Sequence, residues 1–369
     1  MNRTEINELG EFGIIDKIKS NFKKKKSSTV ISIGDDAAAI RSGKDLVLLS
    51  SDMLIEKIHF DLSYTPLKHL GYKSVIVNLS DIYSMNALPS QIILNIAISN
   101  KFSVEAIDEF YDGVKFACEE HNIDLIGGDT TSSLSGLTIS CTAVGYCDND
   151  NISKRDGALS EDLICISGDL GRAYLGLLIL QREKKNFLKD PSNQPSLSKY
   201  KDLVEKQLRP KARKDIIDFF NLNNIKPNSM IDISDGLSSE LFHIANASKL
   251  GFKIFEEKLP IHKDVLSSSK ELGVNYLDAV LNGGEEYELL FSLPISDFDK
   301  LKLEGIDITP LGHFTENKKR ILHKLLINIL KDNELNLIRK DFNIIDSEKI
   351  ISPWVMPSYD FIDLINQFN

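Results

Sequence analysis

Acids recur at the ends of apolar runs in this chain, and that recurrence limits what it can fold into. Gly34-Asp35-Asp36-Ala37-Ala38 follows the strand-like run Val30 to Ile33, and Leu46-Val47-Leu48-Leu49 runs into Ser50-Ser51-Asp52. Asn78-Leu79-Ser80-Asp81, Gly127-Gly128-Asp129-Thr130 and Asp232-Ile233-Ser234-Asp235-Gly236 repeat the theme downstream. Carboxylates set side by side against apolar segments are costly unless something positive joins them. The reading is a scaffold that gathers acids around Mg²⁺ and a nucleotide phosphate.

Composition sets the frame for that reading. At 369 residues the chain exceeds what one hydrophobic core usually takes, so two domains are expected. A net charge of -10 argues against nucleic acid or an anionic membrane as the main partner. It does not exclude a phosphate substrate, because a bound divalent cation reverses the local sign. Cys118, Cys141, Cys147 and Cys165 form no CxxC pair and read as reduced, buried residues. No apolar run approaches a membrane span, and the first residues lack the apolar core of a signal peptide. The expectation is a cytoplasmic enzyme.

Periodicity places the acids on elements. Residues 8–22 read as a turn entering a short amphipathic helix, with Phe12, Ile15, Ile18 and Phe22 near helical spacing. Residues 66–88 read as a helix that Pro66 opens and Pro89 breaks, and Ile92 to Ile98 as a strand. On that helix Asp81 shares a face with Asn78, so a metal or a buried salt bridge must satisfy it. Residues 103–121 read as a helix with Ser103 as its cap. Leu137 to Gly145 and Leu163 to Ser167 read as strands, with a domain boundary between them.

In the second half, a helix is expected from the Gly168-Asp169-Leu170-Gly171 turn to about Leu180, then a polar loop over 183–200. Helices follow at Ala212 to Phe220 and Ser238 to Ala247. Gly283-Gly284-Glu285-Glu286-Tyr287-Glu288 precedes the strand Leu289 to Phe291, as a ligand-facing turn or a plain hairpin. Arg155 is either a phosphate contact or a surface arginine, and His59 either structural or functional. Residues 316–350 are rich in Lys, Asn and Leu and carry no recognisable chemistry.

Several catalytic signatures are missing from the sequence. It has no GxxxxGK[ST] loop, no HExxH helix, no GxSxG elbow and no kinase-type His-Arg-Asp loop. Hard oxygen donors with almost no His or Cys suit Mg²⁺ rather than zinc. Mg²⁺ held by carboxylates and substrate phosphates is a phosphoryl-transfer arrangement, which relies on positioning and charge neutralisation. A phosphate acceptor is mostly ionised near neutrality, its second pKa being about 6, and needs no general base.

Taken in order, these motifs resemble the thiamine-monophosphate kinase family. The set comprises Gly34 to Ala38, Ser51-Asp52-Met53-Leu54, His59-Phe60, Asn78 to Asp81, Gly127 to Thr130, Asp232 to Leu237 and Gly283 to Phe291. The resemblance implies an α/β (α+β) fold of the aminoimidazole-ribonucleotide-synthetase type. It has two domains, 1–148 for ATP and Mg²⁺ binding and dimerisation and 149–369 as the C-terminal α/β domain. The N-terminal domains pair into a β-barrel homodimer. It also implies direct transfer of the ATP γ-phosphate onto thiamine monophosphate, giving thiamine diphosphate, with several Mg²⁺ ions and no side-chain nucleophile or base.

Carried over residue by residue, the metal ligands are Asp36, Ser50, Ser51, Asp52, Asp81, Asp129, Asp232 and Asp235. ATP meets Tyr111, Gly128, Asp129, Arg155 and Ser234. Thiamine monophosphate meets His59, Glu285 and a C-terminal aromatic, Tyr359 in preference to Trp354. Ser50 and Ser51 stand where the family has Thr, and Glu286 stands where it has Asp. The alternatives are another ATP-using enzyme of the superfamily or a non-catalytic nucleotide- or thiamine-phosphate-binding protein. A selenophosphate synthetase carries a reactive Cys or selenocysteine near its N-terminus, and this chain has no Cys before Cys118.

Overall fold

The computed structural model describes residues 6–303, 306–329 and 335–343. Its described residues divide into two compact units. One holds the chain up to Ile82 and Ala87–Asp150; the other holds Tyr83–Asn86 and the chain from Asn151 onward. No described helix is long and apolar enough to cross a membrane.

The N-terminal unit begins with α1 (Ile6–Asn21), kinked at Gly10 where φ is 65°. It continues through β1 (Thr29–Ile31), β2 (Ala38–Ser42), β3 (Asp45–Ile55), α2 (Leu67–Ser84) and β4 (Leu88–Ile98). It closes with α3 (Val104–His121), β5 (Asp124–Gly127), β6 (Thr130–Ser132) and β7 (Thr138–Asp148). The sheet order is β1-β2-β3-β7-β4-β5, with β6 also on β4. Period-2 alternation sends Leu46, Leu48, Ile92, Leu94, Ile139 and Ala143 to one buried face. There α2 lies so close that a Cβ on Gly145 would stand 2.4 Å from Ile82. Two glycines likewise let α2 and α3 touch by their backbones: a Cβ on Gly71 would meet the Phe110 carbonyl at 1.9 Å, and one on Gly113 the Lys68 carbonyl at 1.9 Å.

Two expectations shift here. β3 does not end at Leu49 but runs through Ser50-Ser51-Asp52 to Ile55, because β7 supplies a partner for every residue from Asp45 to Ile55. The helix over 66–88 stops at Ser84; Pro89 lies inside β4, beside a bulge at Pro89/Gln91, where a missing N–H is tolerated. Ser103 caps α3 as read, accepting from the Ala106 N–H at 3.2 Å.

The second unit runs β8 (Leu163–Ser167), α4 (Arg172–Lys189), α5 (Lys201–Leu208), α6 (Lys214–Asn223), β9 (Ser229–Asp232) and α7 (Leu237–Ser248). Then come β10 (Gly251–Phe255), α8 (Lys263–Leu272), α9 (Tyr276–Asn282), β11 (Leu289–Leu293) and α10 (Ile295–Leu303). Strands β12 (Ile308–Thr315), β13 (Arg320–Ile329) and β14 (Leu335–Asn343) complete the sheet, ordered β14-β13-β10-β12-β8-β11-β9. Strand β11 is buried along its whole length between β8 and β9, and the Phe220 ring of α6 stands edge-on to Phe291 at 5.2 Å. Residues 183–189, expected as loop, continue α4. The sequence reading did not foresee α5, and the Lys/Asn/Leu-rich segment after 316 contributes the antiparallel pair β13 and β14.

Candidate active site

In the N-terminal unit an open strand edge brings the acids together. Strand β2 pairs with β3 only as far as Ala38↔Leu49, so the next residues of β3 lack a β2 partner. Helix α2 fills that edge: the Asp52 N–H donates to Asn78 Oδ1 at 2.9 Å, and Asn78 Nδ2 donates to the Ser74 carbonyl at 3.1 Å. One helical turn on, Asp81 accepts a hydrogen bond from Ser50 Oγ. Asp36, in the bend between β1 and β2, places a carboxylate oxygen within 4.8 Å of one on Asp81. Burial pushes the Asp52 carboxyl up to about 6, and the charge of Asp36 adds to that rise. Four of the expected metal ligands, Asp36, Ser50, Asp52 and Asp81, therefore share one neighbourhood.

Ser51 points to the opposite face of β3, its Oγ 2.8 Å from Thr142 Oγ1, because alternation separates it from Ser50 and Asp52. Asp52, Cys141 and Leu94 form one row across β3, β7 and β4. Gly128 lies against the end of that row, where a Cβ would stand 1.9 Å from the Leu94 carbonyl, so glycine is required there. Asp129 follows, exposed, its carbonyl accepting the Ile96 N–H at 2.9 Å. His59 sits in the turn after β3, its Nδ1 accepting the Ile55 N–H at 3.0 Å. That contact leaves the hydrogen of the neutral ring on Nε2. Tyr111 stands half-buried on α3, edge-on to Phe110 at 5.4 Å.

In the C-terminal unit, the Gly283–Glu288 segment runs alongside the end of β9. Glu285 N–H donates to the Ser234 carbonyl at 2.7 Å, Tyr287 N–H to the Ile233 carbonyl at 2.8 Å, and Ile233 N–H to the Glu288 carbonyl at 2.8 Å. Gly284 is required at this approach, since a Cβ would stand 2.3 Å from the Ser234 carbonyl. Asp232 is the buried last residue of β9, whereas Ser234 and Asp235 reach solvent in the turn before α7. The surrounding protein raises the Asp235 carboxyl, Arg155 opposes the rise and Glu285 adds to it. Arg155, Ser234, Asp235 and Glu285 therefore form one group. The likeness between Asn78-Leu79-Ser80-Asp81 and Asp232-Ile233-Ser234-Asp235 ends at the sequence, for one lies in a helix and the other leaves a strand.

The sequence reading missed the residues that support this group. Buried Glu240 of α7 accepts the Asp235 N–H at 3.0 Å, and its own carboxyl is held well above the usual range by burial and by the Asp235 charge. Its signal was an acid among the apolar residues Leu237, Leu241 and Phe242. Lys206 and Gln207 of α5 were also missed; α5 lies next to the polar run that read as a loop. Tyr359 and Trp354 lie outside the described residues.

Comparison with known proteins fits this geometry. Residues 34–147 match the family described as AIR synthase related protein, N-terminal domain. The thiamine-monophosphate kinase of Buchnera aphidicola subsp. Schizaphis graminum is 38% identical over 331 residues, covering 86% of this chain and 97% of that one. That of Aquifex aeolicus is 33% identical over 313 residues, covering 85% and 94%. The chain belongs to the thiamine-monophosphate kinase family. The solved structure of AaThiL complexed with AMPPCP and TMP superposes with a TM-score of 0.77 at 31% identity, covering 87% of this chain and 96% of that one. The two-sheet α/β fold is therefore that of the thiamine-monophosphate kinases.

Proposed function

We propose that this chain phosphorylates thiamine monophosphate, transferring the γ-phosphate of ATP in line to give thiamine diphosphate and ADP. The observation that carries this reading is the acid set of the N-terminal unit. Asp36 and Asp81 approach within 4.8 Å, and Asp52 is driven up to about 6 by burial and by Asp36. Such crowding disfavours three ionised acids at neutral pH and is relieved by a divalent cation. The donors are hard oxygens, which fits Mg²⁺. Asp36, Ser50, Asp52 and Asp81 would hold it, joined by Asp129, Asp232 and Asp235, with Ser51 left out because its hydroxyl faces the other side of the sheet.

Mg²⁺, when bound, neutralises phosphate charge. The chain's own residues position the reactants. Arg155 and Ser234 meet the nucleotide, with Tyr111, Gly128 and Asp129 from the N-terminal domain. His59 offers its Nε2–H, and Glu285 a carboxylate, to thiamine monophosphate, which Tyr359 completes. No residue need remove a proton, because the acceptor phosphate is already ionised near neutrality, its second pKa being about 6. The residues assigned to ATP and Mg²⁺ lie mainly in 1–148, with 149–369 as the second domain.

The outer face of the N-terminal sheet supports a homodimer. Met53, Leu88, Ile93 and Tyr146 are exposed there, an apolar group that a second copy of the chain would cover. Light scattering should therefore give twice the chain mass, and the enzyme is read as cytoplasmic. The deciding assay supplies pure protein with ATP, Mg²⁺ and thiamine monophosphate. Thiamine diphosphate and ADP should form in equal amounts; ADP without thiamine diphosphate would overturn the reading and leave only ATP hydrolysis.

A further inference from the structure

Glu285 is a long, flexible acid on a loop, yet the structure gives it a rigid seat. The loop holds two side-chain-bearing residues in the left-handed region, Glu285 at φ 61° and Tyr287 at φ 52°. Such residues stay there only when their surroundings force them to. The far end of the loop is clamped by charge: Glu288 receives Lys206 Nζ at 2.6 Å, Arg213 Nη1 at 2.5 Å and Ser167 Oγ at 2.7 Å. Between the ends, Glu286 Oε1 accepts the Ala173 N–H at 2.9 Å, which ties the loop to the first turn of α4. Next to Lys206 on α5, buried Gln207 donates from Nε2 to Glu285 Oε2 at 2.6 Å.

The chemistry of that last contact differs from its neighbour's. A lysine beside Glu285 would cancel its charge. An amide fixes the carboxylate without adding positive charge, so its attraction for a cationic ligand is kept. Thiamine carries a fixed positive charge on its thiazolium ring. A Glu with its rotamer already set loses less side-chain entropy when such a ligand arrives. We propose that Gln207 is a positioning residue that pre-sets Glu285 for thiamine monophosphate. This rests on the reading of Glu285 as a substrate contact.

The test compares four forms of the full-length enzyme: wild type, Gln207→Met, Glu285→Gln and the double variant. The KM for thiamine monophosphate, the KM for ATP and the melting temperature are measured for each. Gln207→Met keeps the side-chain length but removes the donor. It should raise the thiamine-phosphate KM about tenfold, as loss of a hydrogen bond to a charged group would, and move the ATP KM less than about twofold. In the Glu285→Gln background the same change should add little, because the two residues act as one unit. Should Gln207→Met fold poorly, Gln207→Glu sets two carboxylates against each other and should raise the same KM at least as much. Equal rises in both KM values, or additive losses in the double variant, would make Gln207 merely structural and overturn the proposal. If Glu285→Gln raises the thiamine-phosphate KM and Gln207→Met does not, positioning alone fails. If Glu285→Gln leaves that KM unchanged, the substrate role of Glu285 fails and the inference falls with it.

Discussion

Asp52 and Glu288 are both carboxyls crowded by protein, yet they titrate in opposite directions. At Asp52 burial and the charge of Asp36 act together and push the carboxyl up to about 6. At Glu288 burial also pushes upward, but Lys206 and Arg213 outweigh it and leave the carboxyl below its usual value. The Asp52 neighbourhood therefore sets acid against acid, whereas at Glu288 the chain's own Lys206 and Arg213 neutralise the carboxylate. The first arrangement would be relieved by a cation from solution; the second already holds its counter-charges.

The largest effects should separate the two in kind. Lys206→Met leaves Glu288 and Glu286 buried with one partner fewer, and removing one member of a buried ion pair costs about 3–5 kcal/mol. Chemical denaturation should show that loss with or without Mg²⁺; a loss that Mg²⁺ repairs would blur the distinction. Asp52→Asn should do the reverse. It removes a like-charge contact, so the metal-free protein should melt no lower than wild type. Turnover should fall on the order of 10²–10³-fold, the scale of losing one electrostatic contact to the transferring group. A wild-type rate in that variant would remove Asp52 from the metal set.

Glu286 tests the contrast from within the C-terminal loop. Burial raises its carboxyl to about 7, Lys206 opposing. The folded chain thus binds this proton more tightly than the unfolded chain, whose value is near 4.5. Its contribution to stability is full below about pH 4.5 and is lost as pH rises to about 7. The wild type minus Glu286→Gln difference in stability should therefore fall across that window. A flat difference would mean that Lys206 already compensates Glu286 as it does Glu288.

The sequence exposed the acids, their order and the turns that carry Gly128 and Gly284, because glycine beside an acid is a local signal. It exposed the Ser103 cap for the same reason. It did not show that β3 passes straight through Ser50-Ser51-Asp52, since strand length there depends on β7, which lies about ninety residues away in the chain. Pro89 misled in a similar way, because a bulge against β7 accommodates it. The clamp of Lys206, Gln207 and Arg213 on the Gly283–Glu288 loop was invisible, since all three lie more than seventy residues before the loop residues they bind and each reads alone as a surface residue.

The smallest expected effect concerns two adjacent serines that sequence alone cannot tell apart. Strand alternation puts the Ser50 hydroxyl on Asp81 and the Ser51 hydroxyl on Thr142, across the sheet. Ser50→Ala removes a donor that orients an acid, so the Mg²⁺ concentration for half-maximal rate should rise about tenfold, the scale of a hydrogen bond to a charged group. Ser51→Ala removes a hydroxyl that meets another hydroxyl on the opposite face, and the shift should stay within about twofold, in keeping with a neutral exposed bond. A Mg²⁺ titration of both variants decides the matter. Equal shifts would mean that the two hydroxyls reach the same cation, which a straight β3 forbids, and the strand would then have to bend at Ser50 when metal binds.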